Sequence, residues 1–427
     1  MSPSRSMESL GGTAICPAVI ATAASCDLRE GDDPFRLDGL QQLLSPKITQ
    51  LVLRLEAAQL GHYSNSAISV VGNICPQMRD FTLCRRQHAR ESEQSISIVS
   101  QVVESFQHLR TVRVNAINER AIAHLARLPS LTNVSFALDL SFDTQLLNLG
   151  LPAKPFPMLD ILTIQAPTLR FVKAFLNLIK ISPTLIAIYV AAHCVASRCE
   201  ASCYAEFFVA LSNSCCTKSL KTLIVREPMG LERRPDIFVG VQELQPVFRF
   251  TQLQMVMLEL VSTFNIDDGA LVELGHTWPQ LAFLHMNETM GWTTPSKITY
   301  QGLLNFLEHC PKLTSLGIDV DFASLEEMPI PSACPCNGLS NKLIKEISLG
   351  NSRVNNPVHV ALFVSAVLPN LRKVNAWSSL WASRQPTDML ERYRANWETF
   401  NQLLPVLAAA RTQGKGCFHT TTPIFEQ

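Results

Sequence analysis

The sequence predicts an α/β protein built from repeated strand–loop–helix units. A short pattern of apolar residues in the spacing L-x-x-L-x-L returns along almost the whole chain, as in WPQLAFLHM at residues 278–286. The segments between the copies carry apolar residues at helical spacing. Of 427 residues, 47% are hydrophobic and 17% are charged, so much of the chain must be buried. A single core stops growing at about 250–300 residues, which favours several domains or a repeat array.

The copies of the pattern mark the strands. Clear copies are CPKLTSLGI, FPMLDILTI and LPNLRKVNA, and a looser one is SPTLIAIYV. About 12 copies with a mean period of roughly 29 residues are typical of leucine-rich repeats. A proline two residues before the first apolar position marks the turn into the strand in most copies. The first apolar positions are Ile48, Met78, Leu109, Leu131, Leu159, Leu185, Leu220, Leu253, Leu281, Leu313, Ile344 and Leu371.

The connecting segments predict helices, for example at residues 121–128, 169–180, 267–278, 298–310 and 358–368. We therefore expect an irregular leucine-rich-repeat solenoid. It would be bent into a horseshoe with parallel strands on the concave face and helices on the convex face. A doubly wound α/β enzyme would also alternate strand and helix, but it would not repeat this pattern with its leading proline so often.

Three regions are expected. Residues 1–40 predict a disordered or irregular segment, residues 41–385 hold the repeats, and residues 386–427 predict an amphipathic capping helix and tail. Two long insertions, 230–246 and 321–341, interrupt the array. Loops of this length are either functional or disordered.

Charge and cysteine content exclude several classes. The formal net charge is zero and the pI is about 7.1, so no basic stripe for a nucleic acid is expected. No apolar run is long enough to cross a bilayer. The 13 cysteines are an odd number in a long chain, which indicates a reducing compartment, cytoplasmic or nuclear.

No enzymatic motif for nucleotide, ester or zinc-protease chemistry occurs. We therefore expect no catalytic residue, no metal and no cofactor. The densest Cys/His group lacks tandem cysteine pairs for zinc, and core packing is the preferred interpretation. CPC at residues 334–336 has too few neighbours for a redox or metal role, and Asp267 with Asp268 is interpreted as a helix cap. The Cys/His group comprises His193, Cys194, Cys199, Cys203, Cys215 and Cys216.

What remains is the concave face, where the residues between the repeated apolar positions are expected to point. Such faces bind proteins through broad contact with aromatic and arginine anchors. The alternative is that these residues are simply solvated. The candidate protein-binding residues are Arg113, Asn115, Thr163, Gln165, Arg226, Met257, Glu259, His285, Asn287, Asp319, Asn375 and Trp377.

A family resemblance gives this surface a possible role. The strings NIDDGALVELGHTWPQLAFLHMNE, ITYQGLLNFLEHCPKLTSLGIDVDF and NPVHVALFVSAVLPNLRKVNAW, within residues 250–397, resemble the C-terminal half of fungal, basidiomycete-type F-box proteins with leucine-rich repeats. In that family the F-box docks to a cullin-RING ubiquitin ligase adaptor, and the repeats hold the protein to be ubiquitinated. Residues 1–40 contain no L-P-x-E-[IL] turn, so only the recognition half carries over. The adaptor is an expected partner only if an F-box lies upstream.

The resemblance implies a non-enzymatic protein-interaction module that binds a protein substrate, with no nucleic acid and no membrane as partners. Two alternatives stay open. One is a stand-alone leucine-rich scaffold or inhibitor with no link to ubiquitin. The other is a GTPase-activating leucine-rich protein, which would need an Arg or Asn on a rim loop that reaches a nucleotide.

Overall fold

The computed structural model describes residues 23–28, 44–55, 68–85, 92–138, 150–190, 201–228, 234–329 and 339–418. These residues form an α/β protein in which strands and helices alternate and the paired strands are parallel. The chain divides into two compact units. The first contains Met1–Cys194 and Asn213–Ser219, and the second contains Val195–Ser212 and Leu220–Gln427.

In the first unit the strands lie side by side in chain order, each parallel to the next. The strands are β1 (Ala23–Leu28), β2 (Gln50–Leu55), β3 (Asp80–Arg85), β4 (Thr111–Ala116), β5 (Asn133–Ala137), β6 (Ile161–Ala166) and β7 (Leu185–Val190). The helices are α1 (Val71–Ile74), α2 (Glu93–Ser105), α3 (Glu119–Leu125) and α4 (Leu169–Leu176).

The core of the first unit forms because alternate residues of neighbouring strands are apolar and aligned. Val112, Val134 and Leu162 occupy matching positions on β4, β5 and β6, and all three are buried. Helices cover this buried face. The ring of Phe136 on β5, for example, meets the ring of Phe175 on α4 edge-on at 5.5 Å.

In the second unit the strand order is β8 (Thr222–Arg226), β10 (Met255–Glu259), β12 (Phe283–Met286), β13 (Ser315–Gly317), β14 (Glu346–Ser348) and β15 (Lys373–Asn375), again parallel. A separate parallel pair joins β9 (Arg234–Val239) and β11 (Ser262–Phe264). The helices are α5 (Ala201–Ser214), α6 (Val241–Leu244), α7 (Asp268–Thr277), α8 (Tyr300–His309), α9 (Ala323–Glu326), α10 (Pro357–Val367) and α11 (Thr387–Phe418), with 3₁₀ turns at Gln245–Arg249 and Ala382–Arg384.

Helix ends in the second unit follow the local sequence. The Asp267 carboxylate accepts a hydrogen bond from the Ala270 N–H at 2.9 Å, so its predicted role as a cap of α7 is confirmed. The long helix α11 packs against α10 and β15. Its buried side chains include Trp397 and Phe400, and they cover the end of the strand series.

Each copy of the repeated pattern contains a strand of the structure, and two expectations need correction. Residues 23–28, inside the segment expected to be irregular, form β1 and pair with β2. The predicted copy at β7 begins two residues too late. Ile186 and Ile188 align with the buried Leu162 and Ile164 of β6, so the half-exposed Leu185 is not the counterpart of Leu159, although Ile188 is buried as predicted.

The two insertions differ in their secondary structure. The insertion at 230–246 contains β9 and α6, and the one at 321–341 begins with α9. Residues 330–338, which include CPC, lie outside the described residues.

Candidate functional site

The predicted binding residues of the second unit fall into two rows across the parallel strands. Strand pairing aligns one row, which we call the open row: Ile224, Met257, His285, Gly317, Ser348 and Asn375. Two residues further along each strand lies the edge row: Arg226, Glu259, Asn287, Asp319, Gly350 and Trp377. Eight of the twelve predicted residues belong to one of these rows, so the structure does bring them together.

The edge row was expected to be accessible, and the structure buries most of it. Asn287 has no exposed surface. Its Oδ1 accepts a hydrogen bond from the Leu260 N–H at 2.7 Å, and its Nδ2 donates to the Ser262 carbonyl at 2.8 Å. The side chain therefore stabilises the loop that follows the neighbouring strand.

Glu259 acts in the same way towards the loop after β12. Its carboxylate accepts hydrogen bonds from the N–H groups of Thr289, at 3.1 Å, and Met290, at 3.0 Å. Burial raises the pKa of the Glu259 carboxyl, and these two N–H groups oppose that change. Its side chain is turned into the fold.

Asp319 and Trp377 continue the pattern on β13 and β15. The Asp319 carboxylate accepts a hydrogen bond from the Asn351 N–H at 3.0 Å. The Trp377 indole N–H donates to the Ser352 carbonyl at 2.8 Å, and its ring stacks on Tyr393 at 4.7 Å. Both side chains are buried. Arg226 is the exposed member of the edge row.

For Asn287 and Trp377, sequence reasoning missed a change of backbone direction at the strand ends. Asn287, Gly350 and Trp377 have φ values of 55°, 44° and 53°. Left-handed backbone is costly for a residue as large as tryptophan and persists only where the surroundings hold it. At Gly350 a side chain would collide with Asp319. Alternation of side chains stops at these residues, so it no longer tells which face they occupy.

Burial of Glu259, His285, Asn287, Asp319 and Trp377 leaves little surface for a partner to contact. Binding by the twelve residues stays a prediction. A partner could contact mainly those of the twelve that are accessible. In the first unit Arg113 is exposed, whereas Asn115, Thr163 and Gln165 are half-buried. Arg113 and Thr163 both align with Ser135, so they lie in one row of that unit's sheet.

His285 is the centre of a polar cluster on the open row. Its Nε2 lies 2.8 Å from the Ser315 Oγ, and its Nδ1 is hydrogen-bonded to the Glu288 carboxylate. The Phe283 ring stacks on the imidazole at 3.9 Å. A side chain at Gly317 would touch the same ring, so the glycine makes room for it. The imidazole is held in one orientation.

The electrostatics of the cluster follow from these contacts. The hydrogen bond from His285 is the main reason that the pKa of the Glu288 carboxyl lies below its usual value. The order serine, histidine, carboxylate is that of a nucleophile, its base and an orienting group. Transition-state stabilisation needs donors for an oxyanion, and the Ser315 N–H already donates to the Ala282 carbonyl at 3.2 Å. Because that N–H is already engaged, the arrangement of Ser315, His285 and Glu288 suits a polar contact of fixed orientation.

A second buried network lies beside the edge row and gave no sequence signal. The Tyr204 hydroxyl and the Val261 N–H both donate to the Glu227 carboxylate, at 2.7 and 2.8 Å. The Ser262 hydroxyl donates to the Tyr204 oxygen at 3.1 Å. Burial raises the pKa of the Glu227 carboxyl. The network satisfies buried polar groups, which is a structural role.

An apolar stripe on the open side of the sheet was also missed. Met255 and Phe283 align with each other and precede Met257 and His285 by two residues. Ile224 pairs with Met257 on the adjacent strand β8. Met255, Met257, Phe283 and Ile224 are all half-exposed. The available signal was that apolar residues occupy the outward positions of three neighbouring strands, where polar residues are expected.

A cleft of about 380 Å³ lies where β12, β13, β14 and β15 end, in the loops at their carboxyl edge. Loops at that edge of a parallel sheet converge, which makes it the usual place for a ligand. Aromatic side chains form much of the wall, and polar groups surround them. The aromatic lining residues are Trp292, Trp377, Trp381 and Tyr393.

The cysteines match the sequence interpretation only in part. Cys215 is buried and Cys203 half-buried, as core packing predicts, but Cys216 is exposed. Among the described residues no group of three or more His, Cys, Asp or Glu could hold a metal ion. His193, Cys194 and Cys199 lie outside the described residues.

Two further observations bear on function. Within the part of the chain that the structure describes, no helix combines the length and apolar character that crossing a bilayer requires. No protein-family model and no curated protein matches the chain. The function must therefore be inferred from the geometry.

Proposed function

We propose that this chain is a non-enzymatic protein-interaction module that binds a protein partner on the open side of its sheet. Its units would be stretches of an irregular leucine-rich-repeat solenoid with helices on the convex side. The module would correspond to the substrate-recognition half of a fungal F-box subunit of a cullin-RING ubiquitin ligase, acting in the cytoplasm or nucleus.

The repeated register supports the solenoid part of the proposal. Each strand aligns with the next through the same buried position, for example Leu284 with Leu316 and Leu316 with Ile347. Strands that carry the repeated pattern are neighbours in chain order, with β9 and β11 paired separately, as expected when each repeat contacts only the repeats beside it. The ubiquitin link has a separate support, the resemblance of residues 250–397.

The apolar stripe is the observation that carries the binding function. Ile224, Met255, Met257 and Phe283 keep part of their apolar surface in water on three adjacent strands. Contiguous apolar surface with a polar surround is typical of a protein-binding site. Methionine adapts its shape to a partner, and an aromatic ring supplies a large contact area. Glu288 and Ser315, which are half-buried and held by the buried His285, provide the adjoining polar contact.

The test is affinity capture of the tagged chain from its native cells, followed by mass spectrometry. The double variant Met257→Glu, Phe283→Glu places charge on the stripe. Val406→Glu on α11 is the matched control, because Val406 is 62% exposed and does not belong to the stripe. Partners retained by the wild type and the control but lost by the double variant are the expected result. Identical partner sets for all three proteins would contradict the proposal.

The same experiment separates the ubiquitin-linked form from a stand-alone scaffold. Capture is repeated with a proteasome inhibitor, which preserves ligase substrates. Stripe-dependent partners that accumulate with the inhibitor, together with a cullin adaptor, would support the ligase role. Stripe-dependent partners without adaptor or accumulation would support a scaffold or inhibitor.

A further inference from the structure

The apolar stripe contains two methionines side by side. Met255 and Met257 lie two residues apart on β10, so both side chains point to the open side of the sheet. Both are half-exposed, whereas Val256 between them is buried on the opposite side. Two of the four side chains of the stripe are therefore thioethers that keep part of their surface in water.

The surroundings of Met257 offer no hydrogen-bond donor from the two side chains directly opposite it. These side chains are Ile224 on β8 and His285 on β12. Ile224 is apolar, and both ring nitrogens of His285 are already engaged, one with Ser315 and the other with Glu288. An oxygen atom added to the Met257 sulfur would therefore find no partner in these two side chains and would keep its water.

Burial separates the stripe methionines from others in the chain. Met286 and Met290 are 1% and 2% exposed, so an oxidant in solution reaches them slowly. Met158 and Met328 are 61% and 46% exposed, but neither belongs to the stripe. The chain thus contains both a protected and an accessible reference for the reactivity of Met255 and Met257.

We propose that Met255 and Met257 form a paired site of reversible oxidation by hydrogen peroxide, and that this modification weakens binding at the apolar stripe. Each sulfur takes one oxygen atom from a peroxide molecule. An S=O bond forms, the O–O bond breaks, the sulfur is oxidised and the peroxide is reduced to water. Methionine sulfoxide reductases reverse the change. The inference rests on the proposed function, because it concerns regulation of the same surface.

The sulfoxide changes the chemistry of the stripe at its centre. A thioether is apolar and adapts its shape to a partner, whereas a sulfoxide is polar and accepts hydrogen bonds. A partner that covers the stripe must remove water from the new oxygen, and the side chains opposite Met257 do not replace that water. Oxidation should therefore weaken binding at least about tenfold.

The first experiment examines the site without any partner. The full chain is treated with dilute hydrogen peroxide, and peptide mapping follows the gain of oxygen at each methionine over time. Met255 and Met257 should be oxidised at least about tenfold faster than the buried Met286 and Met290. Unchanged tryptophan emission shows that the chain stays folded. Oxidation of the stripe pair as slow as that of the buried pair would overturn the inference.

The double variant Met255→Leu, Met257→Leu tests the effect on the surface, because leucine has a similar apolar volume and no sulfur to oxidise. Retention on a hydrophobic-interaction column is measured for each protein before and after treatment. Peroxide should shorten the retention of the wild type more than that of the variant, since the other methionines are common to both. Equal shifts would mean that the stripe is not the modified surface.

Affinity capture then connects the modification with binding. The purified chain is treated, the peroxide is removed, and the chain is incubated with untreated lysate. The treated wild type should lose the partners that depend on Met257 and Phe283, and the reductases should restore them. The matched control Met158→Leu, Met328→Leu should lose them as the wild type does, because its stripe sulfurs remain. The variant Met255→Leu, Met257→Leu should capture the same partners with and without treatment. Partners that stay bound to the treated wild type would contradict the inference, as would peroxide-dependent loss from the leucine stripe variant.

Failure of this inference is distinguishable from failure of the proposed function. If the untreated variant Met257→Glu, Phe283→Glu keeps every partner, the binding function falls, while peptide mapping and column retention still decide whether the pair is oxidised. If that variant loses its partners but the oxidised wild type keeps them, the interaction module stands and the oxidation site falls.

Discussion

Asn287→Ala should destabilise the second unit strongly, although the residue follows a strand whose outward positions suggest tolerance. The substitution removes the acceptor of the Leu260 N–H and the donor to the Ser262 carbonyl. Each buried group left without a partner costs about 1–3 kcal/mol. Alanine at the φ of 55° that Asn287 adopts adds about 1–2 kcal/mol. The expected loss in the free energy of unfolding is therefore about 3–8 kcal/mol.

Urea unfolding followed by tryptophan fluorescence measures this loss selectively. All five tryptophans lie between Trp278 and Trp397, inside the second unit, so the signal does not report the first unit. Asn375→Ala is the matched control, because Asn375 is half-exposed on the open row and should change stability by no more than about 0.5 kcal/mol. A loss for Asn287→Ala as small as that of the control would refute the argued role of the two hydrogen bonds.

Three further predictions use the same unfolding assay or mass spectrometry. Leu284→Ala should cost about 2–5 kcal/mol, because the side chain has no exposed surface, and a neutral result would contradict the register of β12. Glu288→Gln should remove a pH-dependent contribution. His285 lowers the folded-state pKa of Glu288 below the ordinary 4.5. The wild type should therefore have the larger free energy of unfolding above pH 4.5, and the difference should disappear as pH falls through the lowered pKa. A constant difference from neutral to acid pH would argue against this contribution. Iodoacetamide should modify Cys216 before Cys215, because N–H groups, chiefly that of Lys218, lower the pKa of the exposed Cys216 thiol while burial raises that of Cys215 to about 12; the reverse order by peptide mapping would contradict these environments.

The strand positions could be predicted because the buried residues of a strand repeat at a spacing that the sequence shows directly. The starting point of the copy at β7 could not. Its sequence LIAIYV is apolar at nearly every position, so the first apolar position cannot be distinguished from its neighbours, although Ile188 lies on the buried face as predicted. Pairing with β6 sets the register in the structure, through Leu162 with Ile186 and Ile164 with Ile188. That information lies outside the strand itself.

The alignment of the candidate residues in rows could be predicted from the sequence, but the burial of their side chains could not. Counting alternate positions placed Met257 and His285 on one face correctly, because both lie within regular strands. The same counting predicted accessible side chains at Asn287 and Trp377, where the backbone has already turned. His285 also differs from a solvated residue, because Phe283 and Gly317 enclose its ring. Its substitution should therefore cost more than that of an exposed histidine.

The left-handed residues at the strand ends separate the geometry of the sheet from that of the loops. After Asn287, Gly350 and Trp377 the chain reaches the next long helix through segments of unequal length, 288–299, 351–356 and 378–386. The strands before them keep one register. Each left-handed residue fixes the direction in which the chain leaves the sheet. The loops that follow these residues can vary in sequence and length while the strands stay in place. New binding specificities can therefore be built at the carboxyl edge without redesign of the core.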